Sequence, residues 1–262
     1  MAITISQPVP VSCFIIAMNE ADRIAPVIEG VVGWVDEVIV VDSGSTDGTQ
    51  ALAERLGARV IHNDWPGFGP QKRFAEDQCR HDWLLNLDAD EVPTEALCRE
   101  IIALFEDGPP DHPFYRFRTE LVYPGDTRPR LWADYHNFIR LYDRRVGRFS
   151  QSPVHDTVQP GDTPARQLKG TAWHYSYRSF SYLVEKLNSY SDLQAKTLRR
   201  SNRLALILRL PVEMPFSFFK YYVLRRHFTG GAKGFIFATI NSFFRFLRLA
   251  KMIEAAGSRR AE

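Results

Sequence analysis

Over the first hundred positions, apolar residues come in short runs separated by segments of a different period. VSCFIIAM (11–18), EVIVVD (37–42), ARVIH (58–62) and WLLNLD (83–88) are rich in Val, Ile, Leu and Phe and too short for helices, so each predicts a β-strand. Between them, ADRIAPVIEGVV (21–32), STDGTQALAERLG (45–57) and GPQKRFAEDQC (69–79) carry apolar positions at helical spacing. The second of these predicts a helix that starts at Thr46 or Asp47 and stops at Gly57. Alternation of this kind predicts a mostly parallel sheet covered by helices.

After Pro113 the pattern changes. FYRFRTELVYPGD (114–126), HNFIRLYDRRVGRFS (136–150) and ARQLKGTAWHYS (165–176) are aromatic and basic, with turns, and predict antiparallel strands and long loops. From Ser179 a helical period returns and leads into the tail. The division this implies is an α/β domain over residues 1–198 and a basic, amphipathic helical extension over 199–262.

Charge sharpens that division. The net charge is +2, but residues 199–262 hold 13 Lys or Arg against 3 Asp or Glu, so the tail carries +10 and the front −8. Three cysteines, Cys13, Cys79 and Cys98, have no metal-ligand spacing. Their odd number, with no secretory leader, argues against a disulfide framework and for a reducing compartment. The segment MAITISQPVPVSCFIIAMNE has no basic stretch ahead of its apolar run and reads as a first strand.

In open α/β sheets ligands collect outside the carboxyl ends of the strands, and NEADR (19–23), DSGSTDGT (42–49) and DADE (88–91) all fall at that edge. If the strand of Trp83–Leu87 continues, its period of two turns Asp88 and Asp90 to one side. Two neighbouring carboxylates repel unless a cation or proton intervenes. A hard divalent ion, Mg²⁺ or Mn²⁺, satisfies both and leaves positions for phosphate oxygens. The competing reading makes the acids caps for the following helix, PTEALCREIIALF (93–105), and a capping or local structural role suits Glu91 best. Asp42 ends another strand before a small-residue turn, where an acid can bond a ribose hydroxyl or a base edge. An Asx turn is its alternative, and the turn-and-cap role fits Asp47 whatever Asp42 does.

FIIAMNEADRI, VVDSGSTDGT and WLLNLDADE, in this order and at these separations, resemble the nucleotide-sugar half of the family 2 glycosyltransferases. FIRLYDRRVGRFSQSPVHDTV and GTAWHYSYRSFSYLVEKLNSYS resemble the branch that includes lipopolysaccharide core β-1,4-glucosyltransferases. The resemblance implies a GT-A fold, Rossmann-like with a mostly parallel central sheet. It also implies an inverting transfer of a hexose, glucose first, from a UDP-sugar. Glu20 and Asp42 would then lie near the uridine, Asp88 nearer the ribose or a metal-bound water, and Asp90 on the Mn²⁺ or Mg²⁺. Lys72 would reach phosphate or ribose, or else lie on a solvated helix face. Asp156, in SPVHDTV, is implied as the general base, with His155 orienting it, contacting the donor or serving as a partly buried structural histidine. His174 is implied as a further metal ligand or as a packed histidine, and Trp173 as part of a mobile lid over the diphosphate. Asp143, flanked by arginines, reads as a salt-bridge partner, and Asp134 and Asp126 are lesser alternatives for the base.

From Leu204 the tail mixes Phe, Tyr and Leu with Arg and Lys, and its longest uncharged stretch, between Lys233 and Arg245, is too short to span a bilayer. The composition suits helices lying in a membrane interface, or a helical pair packed on the domain with its cations at the rim. With the resemblance, this implies a cytoplasmic enzyme, peripheral on the inner membrane, whose acceptor is a membrane-anchored glycan or glycolipid. The acidic front opposes a large nucleic-acid footprint, and none is expected. Transfer to a polyprenyl phosphate and a non-catalytic nucleotide-binding module remain as alternatives. A nicotinamide oxidoreductase is disfavoured, because NEADRIAP lacks the glycines that would follow the first strand.

Overall fold

The computed structural model describes residues 3, 5, 7–153, 156–197 and 203–258. The chain forms two compact units, one of Met1–Leu121 with Tyr135–Tyr175, the other of Val122–Asp134 with Ser176–Glu262. The expected boundary between residues 198 and 199 lies outside the described residues.

The first unit is built on one sheet. Its strands are β1 (Val9–Ala17), β2 (Val35–Asp42), β3 (Arg59–His62), β4 (Trp83–Asn86), β5 (Glu91–Pro93), β6 (Phe114–Leu121), β7 (Tyr135–Asp143) and β8 (Arg166–His174). Their order is β3-β2-β1-β4-β7-β6-β8-β5. The amino-terminal strands β3, β2, β1 and β4 pair in parallel, as the strand–helix alternation predicts. β7 runs antiparallel to β4 and β6, and β5 antiparallel to β8. The antiparallel strands expected in this half are present, but β6 and β8 are parallel neighbours. The long connection through β7 and its following loop returns the chain in the same direction.

Four helices flank these strands: α1 (Ala25–Glu29), α2 (Thr49–Arg55), α3 (Phe68–Gln78) and α4 (Glu95–Ala103). The central strands are buried on both faces, which is why they read as continuous apolar runs. Cys13 and Ile15 of β1 join Val27, Ile28, Leu97 and Ile101 on one face, while Phe14 joins Ile39, Leu84, Ala75 and Tyr142 on the other. α1 is shorter than its apolar period suggested and ends at Gly30. α2 starts at Thr49, later than expected, because Asp47 accepts from the amides of Ala21 and Thr49 at 3.0 Å each and holds the chain in a turn. It stops before Gly57, at φ +93°, where a side chain would be strained.

The second unit contains α5 (Phe180–Thr197), α6 (Arg203–Phe219), a π-turn (Lys220–Leu224), a 3₁₀ turn (His227–Gly230) and α7 (Gly231–Ser258). α7 packs against both α5 and α6. No helix among the described residues is long and apolar enough to cross a membrane.

Candidate active site

The acidic segment does not continue the strand. β4 stops at Asn86, and the chain then turns: Glu91 N–H donates to Asp88 O at 3.0 Å, and Asp88 N–H donates to Glu91 Oε2 at 3.1 Å. The strand alternation invoked for Asp88 and Asp90 therefore does not orient them; the turn does. Of the two roles expected for Glu91, the structure gives the local structural one, its carboxylate accepting from Asp88 N–H, while Thr94 caps α4 by accepting from Leu97 N–H at 3.3 Å. Glu91 is buried and meets the guanidinium of Arg140 at 2.6 Å.

Each acid of the turn is paired with cations, and Arg140 serves both Glu91 and Asp88. Asp88 lies 2.9 Å from Lys72 Nζ and 3.0 Å from Arg140 Nη2. Burial works against its charge, but Arg140 and Lys72 outweigh burial and hold the carboxyl far below the usual range. Asp90 lies 3.2 Å from Arg23 and 3.5 Å from His174 Nε2. Here too burial is overcome, by the imidazole first and Arg23 second, and the carboxyl is lowered. Burial alone would lower His174, yet the neighbouring carboxylate of Asp90 raises it above the ordinary histidine value.

Lys72 is 1% exposed, so it does not sit on a solvated helix face. It reaches Asp156 Oδ2 at 2.6 Å as well as Asp88, and its ammonium lies 5.0 Å from the ring centroid of Phe149. The start of α3 explains the placement. Phe68 and Gly69 N–H donate to Pro153 O and Ser152 O at 3.1 Å each, pinning the helix to the segment that leads to Asp156. A Cβ on Gly69 would come within 2.3 Å of Ser150 O, so only glycine permits this approach. His155 lies outside the described residues.

Glu20 and Asp42 have other company. Glu20 forms a two-point ion pair with Arg23, which also reaches Asp90, so one guanidinium joins the first and third acidic segments. Asp42 is fully buried and accepts from Gly44 N–H at 3.0 Å, Ser45 N–H at 2.8 Å, and the side chains of Ser45 and Gln50. The structure thus gives Asp42 the Asx-turn arrangement, holding its own loop in shape. Trp173 stands within β8, in register with Val92 of β5 and Glu120 of β6, and not in a loop that could serve as a lid. Asp143 pairs with Arg145 at 2.6 Å, as its arginine neighbours suggested. Asp126 and Asp134 belong to the second unit, where they pair with Lys233 and His227.

A cavity of about 560 Å³ opens within the first unit, and Asp88, Arg140, Asp156 and His174 line it together with Arg116 and His136. Lys72 joins two of these lining acids, Asp88 and Asp156. Arg140 and Arg23 were not singled out from sequence. The signal for Arg140 was its position inside the apolar run FIRLYD, where a cation must find an acid.

Among the described residues no three His, Cys, Asp or Glu side chains gather as metal ligands. Asp90 Oδ2 and His174 Nε2, 3.5 Å apart, nonetheless have a separation that one ion with bonds of about 2.0–2.2 Å spans. Two protein donors suit an ion that takes its remaining ligands from phosphate and water, so this pair fits such a group.

A mixed α/β sheet with an acidic cluster beyond its parallel strands and a second carboxylate lining the same cavity has the makings of a group-transfer site. Residues 12–166 match the model of glycosyl transferase family 2, and the chain belongs to that family. It is 42% identical over 254 residues to an uncharacterized glycosyltransferase of Rickettsia felis, covering 94% of this chain and 90% of the relative. It is also 31% identical over 253 residues to the lipopolysaccharide core biosynthesis glycosyltransferase LpsC of Rhizobium meliloti, covering 94% and 92%. Among solved structures, glucosyl-3-phosphoglycerate synthase from Mycobacterium tuberculosis aligns over 44% of each chain at 28% identity, with a TM-score of 0.34.

Proposed function

We propose that this glycosyltransferase inverts the anomeric centre as it moves a hexose, glucose first among candidates, from UDP to a lipopolysaccharide core or similar membrane-anchored glycan. The observation that carries the reading is the bridge from Asp88 through Lys72 to Asp156, which brings an acid of the D-A-D turn and a distant acid to one cavity. The likeness to LpsC supports the acceptor class.

In this mechanism Asp156 accepts the proton of the attacking hydroxyl. The acceptor oxygen then forms its bond to the anomeric carbon from the face opposite the diphosphate, and the bond from that carbon to the phosphate oxygen breaks. Lys72 holds Asp156 in place, Arg140 and Lys72 keep Asp88 ionised, and Asp90 with His174 is the pair that would hold Mn²⁺ or Mg²⁺. Bound there, the ion would stabilise charge on the departing diphosphate as a Lewis acid. Asp42 and Glu20 shape the nucleotide end, Asp42 by fixing its loop and Glu20 through Arg23.

An anchored acceptor puts the reaction at the cytoplasmic face of the inner membrane, with the basic carboxyl-terminal helices at its surface. The deciding experiment is calorimetric titration of UDP and GDP, each with and without Mn²⁺, followed by turnover of UDP-hexoses with core glycans. Metal-dependent binding of UDP and transfer from a UDP-sugar are expected. Binding of neither nucleotide would overturn the reading.

A further inference from the structure

Helix α6 is inside out for a helix in water. Of its positions between Leu204 and Phe219, eleven are exposed and ten of those are apolar, Arg209 being the exception. Leu204, Leu208, Val212 and Phe216 repeat at four-residue spacing along the outer face, with Leu208 68% and Phe216 63% exposed. The buried positions, by contrast, include Glu213 and Ser217 beside Leu206. Glu213 is satisfied there by Arg209 at 2.9 Å and Arg245 at 3.2 Å. A surface helix normally turns its apolar stripe inward, so the arrangement is stable where the outer face also meets an apolar medium.

The surroundings of this face carry the charge a lipid surface would meet. Arg209, Lys220, Arg225 and Arg226 are exposed along α6 and the turn after it, and from Leu204 to Gly230 the single acid is the buried Glu213. Past the end of α6, Arg130 donates to the carbonyls of Arg225 at 2.9 Å and Arg226 at 3.0 Å, fastening the loop of Leu131 and Trp132 to that turn. Both loop residues are exposed, and the Arg226 guanidinium lies 4.8 Å from the Trp132 ring. Tryptophan and arginine side by side at the rim of an apolar face suit the headgroup level of a bilayer. Pro211 and Pro215 sit within α6, and no described helix is long and apolar enough to cross a membrane, so a lipid contact of this face fits a helix lying in the interface.

We infer that the outer face of α6, with Leu131 and Trp132, inserts into an anionic bilayer, so that the tail docks by apolar insertion as well as by charge. This deepens the membrane contact in the proposed function and rests on that reading for its purpose, while its test needs no turnover. Flotation of the full chain with phosphatidylcholine vesicles, with and without phosphatidylglycerol, reads the contact directly. Binding that strengthens with phosphatidylglycerol is expected. Leu208→Ser/Phe216→Ser should weaken it by on the order of tenfold or more. Arg225→Gln/Arg226→Gln should remove most of the gain from the anionic lipid. Transfer to a soluble acceptor should be unchanged in both variants. Three results overturn the inference: no vesicle binding by the unmodified chain, equal binding by the serine variant, or a dimer in sedimentation that the serine variant dissolves. Loss of the transferase reading would appear separately, as absence of turnover on the soluble acceptor while vesicle binding persists.

Discussion

The ammonium of Lys72 stands 2.6 Å from the carboxylate of Asp156 and joins a buried helix position to a loop residue far along the chain. Because the same ammonium is 2.9 Å from Asp88, its removal leaves two acids facing one cavity without their shared cation. Asp88 and Asp156 keep 33% and 32% of their side-chain surface in water, so Lys72→Met should cost only about 1–3 kcal/mol in urea unfolding. Turnover should fall more steeply than stability. Unchanged turnover would mean that the lysine serves packing alone.

Asp156→Asn keeps the shape of the side chain and removes its basicity. A fall in turnover on the order of 10²–10⁴-fold is expected, with UDP affinity little changed by calorimetry. Turnover near the unmodified level would move the base to another residue.

Arg140 is 5% exposed and serves both Asp88 and Glu91, the latter 1% exposed. Arg140→Met leaves Glu91 without its cation and Asp88 with Lys72 alone, and should destabilise the first unit by about 3–5 kcal/mol. Adding Glu91→Gln should recover part of the loss, which a double-mutant cycle in urea measures.

Asp42 gives the clearest pH dependence. Burial opposes its charge, but hydrogen bonds from Ser45, Gln50 and Gly44 lower the carboxyl below its ordinary value. A lowered folded pKa contributes stability that is complete above the unfolded value near ~4 and is lost as pH falls through the folded value. Asp42→Asn should therefore be about 1–3 kcal/mol less stable than the unmodified chain at neutral pH, with the gap closing as pH falls below the ordinary carboxylate range. A gap independent of pH would contradict this account.

Gly69→Ala tests the seam that sets Lys72 beside Asp156. Its Cβ would lie 2.3 Å from Ser150 O and 2.4 Å from Ser152 O, both backbone atoms. A loss of roughly 1–3 kcal/mol and a lower turnover are expected together. An alanine variant with full stability and activity would show that the seam yields.

Sequence alone determined the parts governed by neighbouring residues. The runs around Phe14, Ile39 and Leu84 announce buried strands because side-chain period is a local property, and strand–helix alternation then implies their parallel order. The same alternation located the acids of NEADR, DSGSTDGT and DADE beyond strand ends, and the charge of the tail marked it as distinct. Tertiary structure decided what depends on meetings between distant positions. β6 and β8 are parallel because the chain returns through β7, and Lys72 is buried because Gly69 lets α3 lie against Ser150 and Ser152. Arg140 and Arg23 became the partners of Asp88 and Asp90 through strand order and turn geometry, which no local spacing encodes. The inverted face of α6 was equally hidden, since an apolar helix shows its outward side only once its buried neighbours are known.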